Sequence, residues 1–157
     1  MTVMEGQAAP QFELQAVNTE NPTVSLGEFK GKWVVIYFYP KDMTSGCTTE
    51  ANDFQSHLDE FTQFGATVLG ISKDSLSSHE KFATKHHLKF PLLSDGDGQA
   101  CEAYGVFKEK KMYGRTYMGI ERSTFLIDPE GKIAKVFPKV KVTGHVQQVL
   151  KELASRQ

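Results

Sequence analysis

The sequence predicts an α/β fold in which a mixed β-sheet carries helices on both faces, and three observations predict it. The run Trp33-Val34-Val35-Ile36-Tyr37-Phe38-Tyr39 is β-branched and aromatic and holds no charge, which is the pattern of a strand buried on both faces. An amphipathic stretch follows, and after it a second apolar run, Thr67-Val68-Leu69-Gly70-Ile71-Ser72. A connection of that length makes the two strands parallel, joined by a right-handed crossover. Further on, residues 122–127 and 133–137 flank Asp128-Pro129-Glu130-Gly131. Proline at the second position and glycine at the fourth mark a type I turn, so these two strands form an antiparallel hairpin.

The remaining elements follow from the same signals. Gln11-Phe12-Glu13-Leu14 alternates and reads as an edge strand. Residues 18–22 are a turn cluster, and Thr23-Val24-Ser25 pairs back to complete an N-terminal hairpin extension. Ser25 then caps a single helical turn over Leu26 to Phe29. Pro40 stops the central strand because it has no N–H for the ladder. Ala51, Phe54, Leu58 and Phe61 recur at spacings of three, four and three before Gly65, which predicts one helix with one buried stripe. Ser77 and Glu80 have the spacing of a capping box for a helix reaching about residue 87. Phe90-Pro91-Leu92-Leu93 reads as a short strand or connector, and residues 98–104 as a brief helix stopped by Gly105. Residues 112–120 carry Gly114 and Gly119 and no clear period, so they read as a loop with extended pieces. Val146, Val149, Leu150 and Leu153 give the buried stripe of a C-terminal helix. No internal repeat, low-complexity tract or linker interrupts the chain.

Composition bounds the function. At 157 residues, with 39% hydrophobic and 24% charged, the chain fits one domain, residues 1–157, that buries about 70% of its unfolded surface. A net charge of -1 gives no general attraction to nucleic acid or to an anionic membrane. The cluster Lys108, Lys110, Lys111 and Arg115 reads as a solvated loop, diluted by Glu109. The first twenty residues hold Glu5, Glu13 and Glu20 and no apolar block, so no secretory signal is expected. The longest uncharged apolar run is far short of the ~20 residues of a membrane helix. These points lead to the expectation of a soluble, cytoplasmic protein. Two cysteines, Cys47 and Cys101, make no secreted disulfide framework, and in a reducing compartment a lone cysteine is more often a chemical group than a staple.

Cys47 is the group with chemistry to offer. It lies in or just before the first turn of the helix that follows the central strand, where unpaired N–H groups and the positive end of the helix dipole favour an anion. A reactive thiolate has that environment, whereas most free cysteines are small buried hydrophobes. The five histidines show no HExxH or Cys-His zinc spacing, there is no CxxC, and no Walker or Rossmann glycine motif appears. No metal, organic cofactor or nucleotide is expected.

The residues Pro40-Lys41-Asp42-Met43-Thr44-Ser45-Gly46-Cys47 match the Pro-x-x-x-Thr/Ser-x-x-Cys signature and resemble the peroxiredoxins. Tyr37-Phe38-Tyr39-Pro40, Gly46-Cys47-Thr48-Thr49-Glu50, Lys73-Asp74-Ser75, Phe90-Pro91-Leu92-Leu93-Ser94-Asp95 and Arg122-Ser123-Thr124-Phe125 are similar to the peroxiredoxin Q or bacterioferritin comigratory subgroup. The resemblance spans nearly the whole chain. It implies a thioredoxin-like fold, which agrees with the element order above, and a thiol peroxidase without cofactor.

By that resemblance Cys47 attacks the peroxide and becomes a sulfenic acid, Thr44 and Pro40 shape the substrate site, and Arg122 brings its guanidinium to the thiolate. A planar, always-charged donor suits that task. Read without the resemblance, Thr44 is a turn or cap residue, Pro40 a strand terminator and Arg122 a surface arginine. Glu50 has a default role as charge in the first helical turn and a further candidate role in orienting Arg122. Many members of the subgroup place a resolving cysteine five residues after the attacking one, where this chain has Asn52. Others place it in a stretch matching Lys81-Phe82-Ala83-Thr84-Lys85, which also lacks one. Met43 and Ser45 depart from the commonest motif residues. The expectation is therefore a one-cysteine cycle resolved by thioredoxin, glutaredoxin or glutathione, in a monomer. The alternatives are Cys101 as resolver, which requires the two Cα atoms within about 7 Å, or a thioredoxin-like redox relay or holdase.

Overall fold

The computed structural model of the chain describes residues 3–157. Its centre is the strand β3 (Trp33–Phe38), whose residues alternate between two cores. Val34, Ile36 and Phe38 face one, and Val35, Tyr37 and Tyr39 face the other. β3 runs parallel to β4 (Ala66–Ser72) and antiparallel to β8 (Ser123–Ile127). With β1 (Glu13–Val17), β2 (Thr23–Ser25), β5 (Leu92–Ser94) and β9 (Ile133–Phe137), they form a seven-stranded mixed sheet of order β2-β1-β5-β4-β3-β8-β9. Helices α1 (Ser45–Ser56), α2 (Leu58–Gln63), α3 (Leu76–Lys85) and α5 (His145–Ser155) contribute to the core on the Tyr37 side. The N-terminal segment and α4 (Gln99–Ala103) cover the other. This is the predicted thioredoxin-like α/β architecture with its N-terminal hairpin.

The Asp128–Gly131 turn closes with the expected bond, Gly131 N–H to Asp128 O at 2.9 Å, and joins β8 to β9. Gly70 answers to packing rather than to a turn. It pairs with Tyr37, and a Cβ there would lie 2.9 Å from Leu92 Cδ2 and 3.0 Å from the Tyr37 ring. The absent side chain lets the Tyr37 ring lie flat between strand and helix, stacked 4.5 Å from Phe54 of α1.

Five local expectations are corrected. The strand near Leu14 is not an edge, because β1 is bonded on both sides, to β2 and to β5. The single helix expected between about Cys47 and Gly65 is two helices. At His57 the N–H reaches back to Phe54 O and the ring Nδ1 lies 3.0 Å from Asp53 O, so a side chain competes for a carbonyl the helix would use. The cap of α3 is Ser75, whose hydroxyl accepts the Ser78 N–H at 3.2 Å, rather than Ser77. Residues 107–120 form a separate hairpin, β6 (Phe107–Met112) and β7 (Arg115–Ile120). Its tight turn is masked in sequence because Tyr113, at φ 53°, takes a left-handed conformation more usual for Asn or Gly, next to Gly114 at 76°. Lys108, Lys110, Lys111 and Arg115 accordingly stand on strands of that hairpin and not in a loop.

Candidate active site

The loop from Pro40 to Thr44 connects β3 to α1. Thr44 is the N-cap residue, with extended backbone (φ −83°, ψ 155°), and its carbonyl accepts the Thr48 N–H at 2.9 Å. Cys47 therefore occupies the first helical turn, among N–H groups that have no intrahelical partner. Its side chain is 1% exposed.

Arg122 arrives from the residue before β8, which the antiparallel register brings beside the end of β3 through the pair Phe38 and Ser123. Its Nη2 donates to Cys47 Sγ at 3.2 Å and its Nη1 to Glu50 Oε1 at 2.6 Å. Burial opposes the charge on Arg122, but Glu50 and Cys47 outweigh it and hold the guanidinium protonated. Gly46 makes room for it, since a Cβ there would lie 3.3 Å from Nη2. Glu50 is fully buried, and burial pushes its carboxyl up to about 7 despite Arg122. Among the described residues its Oε2 has no hydrogen-bond partner, nor has the Tyr37 hydroxyl. His145, at the start of α5, bonds Thr124 Oγ1 through Nε2 at 2.8 Å, and burial followed by Arg122 lowers it to about 4.

Thr44 does not cap the helix with its hydroxyl. Oγ1 donates instead to Lys41 O at 2.8 Å, which commits its proton and leaves its oxygen to act as an acceptor. Pro40 is half-buried just before it. The structure thus groups Cys47, Arg122 and Glu50 and puts Thr44 and Pro40 on the loop that leads to the sulfur. Cys101 is elsewhere. It is fully buried in α4 with the core on the opposite side of β3, its N–H is held by Asp95 Oδ2 at 2.8 Å, and burial, then Asp95, pushes its thiol up.

Three groups escaped the sequence reading. Lys110 is half-buried on β6, held below the usual lysine value first by burial and then by Arg122, with Cys47 and Glu121 opposing. Asp42 and His79 are buried against each other behind the loop, Nδ1 to Oδ2 at 2.7 Å. The spacing of 37 residues between them carries no signal. With Asp74 they bring potential ligand atoms within 4.8 Å of one another, but those atoms are already engaged in hydrogen bonds within the protein.

A dithiol oxidoreductase of this fold carries a second cysteine three residues after the first. Here that position is Glu50, and it pairs with the arginine that holds the sulfur. One thiol fixed beside a permanent cation is suited to attack on an O–O bond rather than to shuttling a disulfide, and the class so defined is the thiol peroxidase.

Comparison with known proteins agrees and narrows the class. The model of the AhpC/TSA family matches residues 5–136. Peroxiredoxin Bcp of Bacillus subtilis is 51% identical over 98% of this chain and 96% of its own length. Peroxiredoxin Bcp of Escherichia coli is 46% identical over 92% of each. Among solved structures, the bacterioferritin comigratory protein of Xanthomonas campestris, studied for alkyl peroxide reduction, superposes with TM-score 0.86 at 48% identity, covering 92% of this chain and 91% of that one. A cysteine-to-serine mutant of PrxQ from Xylella fastidiosa gives 0.92 at 40% identity, covering 99% and 98%. The chain belongs to the AhpC/TSA family, as a peroxiredoxin similar to the Bcp and PrxQ proteins.

Proposed function

We propose that the chain reduces hydrogen peroxide and small organic hydroperoxides at Cys47, with Thr44, Pro40, Arg122 and Glu50 completing the site. The observation that carries this reading is the Arg122 bridge between Cys47 Sγ at 3.2 Å and Glu50 at 2.6 Å. The guanidinium favours the thiolate and also the negative charge that develops on the departing oxygen. The thiolate attacks the distal oxygen, an S–O bond forms as the O–O bond breaks, and the alkoxide or hydroxide leaves and takes a proton from solvent. Cys47 is then a sulfenic acid. Thr44 Oγ1, its proton given to Lys41 O, accepts the hydroperoxide O–H and orients it, while Pro40 keeps water from the sulfur. Similarity to the Xanthomonas protein, with its alkyl peroxide reduction, supports extending the substrate from hydrogen peroxide to organic hydroperoxides.

The cycle closes with external thiols. One thiol attacks the sulfenic sulfur and releases water, and a second displaces Cys47 from the mixed disulfide. Thioredoxin, glutaredoxin or glutathione has that chemistry. The position of Cys101, buried and protonated in the other core, supports a one-cysteine cycle. A monomer is the state that the resemblance to the peroxiredoxin Q subgroup implies. Two free cysteines suit the reducing conditions of the cytoplasm. Stopped-flow peroxide consumption tests the reading: rapid consumption is expected and its loss in Cys47→Ser, whereas equal slow rates in both proteins indicate a relay or holdase instead. After one equivalent of peroxide, mass spectrometry is expected to show Cys47 sulfenic acid, and a Cys47–Cys101 linkage as main product would refute the one-cysteine cycle.

A further inference from the structure

The loop that carries Pro40 and Thr44 is held by its middle residue. Asp42 is 4% exposed and its carboxylate receives three bonds, from Tyr39 Oη at 2.6 Å, Ser78 Oγ at 2.8 Å and His79 Nδ1 at 2.7 Å. Its own N–H donates to Asp74 Oδ2 at 2.9 Å, and Asp74 is fixed in turn by the Ser72 hydroxyl at 2.7 Å. The next residue, Met43, is a non-glycine at φ 66°, a left-handed conformation that persists where surrounding contacts enforce it.

The protonation of His79 follows from its partners. Nε2 lies 2.9 Å from Leu93 O, and a carbonyl only accepts, so Nε2 bears hydrogen. Nδ1 faces a carboxylate that two hydroxyls already treat as an acceptor, so Nδ1 bears hydrogen as well. Burial works against the charge on Asp42, but the bonds from His79, Tyr39 and Ser78 prevail and leave the carboxyl below its usual range. Burial holds the Tyr39 hydroxyl protonated, so it remains a donor. The titratable groups facing the pair are thus Tyr39 from the end of β3 and Asp74 from the segment after β4. The other contacts are neutral: Ser78 on α3, Ser72 on β4 and Leu93 O on β5.

We propose that the His79 imidazolium and the Asp42 carboxylate form a protonated latch that positions the peroxide-binding loop, making His79 a positioning residue for the reaction at Cys47. This rests on the peroxidase reading above. Without the bond between Nδ1 and Oδ2, 2.7 Å long between two buried side chains, a buried carboxylate loses its counter-charge. The strain is relieved by moving Asp42, and with it Pro40 and Thr44, two residues away on either side. The sulfur, its helix turn and Arg122 are left in place. The latch therefore acts on the orientation of peroxide and not on the ionisation of Cys47.

The test compares wild type, His79→Gln and Asp42→Asn by the second-order rate of Cys47 oxidation between about pH 5.5 and 9.5, alongside the pH profile of iodoacetamide alkylation. Asp42→Asn, which leaves the imidazolium without its carboxylate and the loop without its anchor, is expected to lose rate as His79→Gln does. His79→Gln is expected to fall about ten- to a hundredfold across the range, since displacing a reacting group by an ångström costs up to about a hundredfold, while its alkylation profile overlays the wild type. A His79→Gln rate within twofold of wild type, or an alkylation profile that shifts with the rate, overturns the proposal. Nitrogen-15 spectra of the imidazole in wild type give a reading independent of folding in the variants and of peroxidase activity. Two protonated ring nitrogens at neutral pH are expected, and one bare nitrogen refutes the latch. If instead wild type shows no peroxide reaction while both nitrogens are protonated, the peroxidase reading has failed and the protonated pair stands.

Discussion

Replacing Arg122 with alanine separates the thiolate from its cation, and the structure fixes how large the effect is. The side chain makes one charge-assisted bond to Cys47 Sγ at 3.2 Å and one to Glu50 at 2.6 Å. Its loss would leave a buried carboxylate near the sulfur if Glu50 stayed ionised. Glu50 already sits at about 7 with Arg122 present, and the guanidinium is what holds it down. Without the arginine, Glu50 takes a proton through the assay range and adds no repulsion. The change at the sulfur is then the loss of a single charge-assisted hydrogen bond, about 1.5–3 kcal/mol. The rate with peroxide should fall about 100- to 1000-fold, the range for removing one donor aimed at developing negative charge. Alkylation by iodoacetamide gives the reactivity of the sulfur, and stopped-flow fluorescence of Trp33 gives the peroxide rate. Alkylation rates unchanged across pH by Arg122→Ala would refute the electrostatic role, even if the peroxide rate fell.

Other changes separate stability from chemistry. Between roughly pH 4.5 and 7 native Glu50 keeps a proton that the unfolded chain has released, so its contribution makes stability fall as pH rises through that window. Native His145 is deprotonated down to about 4 from an ordinary 6.5, so between those values the unfolded chain binds the extra proton and stability rises with pH. Urea unfolding at a series of pH values should therefore slope more upward than wild type in Glu50→Gln and more downward than wild type in His145→Gln, and curves parallel to wild type would contradict both assignments. Gly46→Ala puts a methyl 3.3 Å from Nη2 of Arg122, whose guanidinium is tied to Cys47 through Nη2 and to Glu50 through Nη1. The peroxide rate should fall about tenfold while the melting temperature holds or rises, because alanine favours a helix by about 0.5–1 kcal/mol over glycine. A full rate would show that Arg122 gives way freely. Gly70→Ala drives a methyl into Leu92 and Tyr37 at 2.9 and 3.0 Å, and overpacking of this kind costs about 1–3 kcal/mol. Calorimetry should record a fall in melting temperature of roughly 2–12 °C, and an unchanged value would mean that the Tyr37 ring can shift at no cost.

The sequence by itself determined the central strand, the crossover to β4, the β8–β9 hairpin and the position of Cys47 in the first turn of a helix. Each is written in neighbouring residues: an uncharged β-branched run, a proline that stops it, a repeating apolar stripe, a turn with proline and glycine in fixed places. Local signals misled where a side chain broke the local rule, as His57 does in the helix and Tyr113 does in the hairpin turn. Resemblance to a family pointed to Arg122, but no local pattern did, because it reaches the sulfur across 75 residues through the register of β8 on β3. Tertiary structure alone decided that Glu50 is buried and holds that arginine, that Cys101 belongs to the core on the other side of β3, and that Asp42 meets His79 behind the loop. The physical reason is that hydrogen bonds and charge pairs depend on distance in space, which the chain sets only when its strands align, whereas strand and helix periods depend on residues a few positions apart.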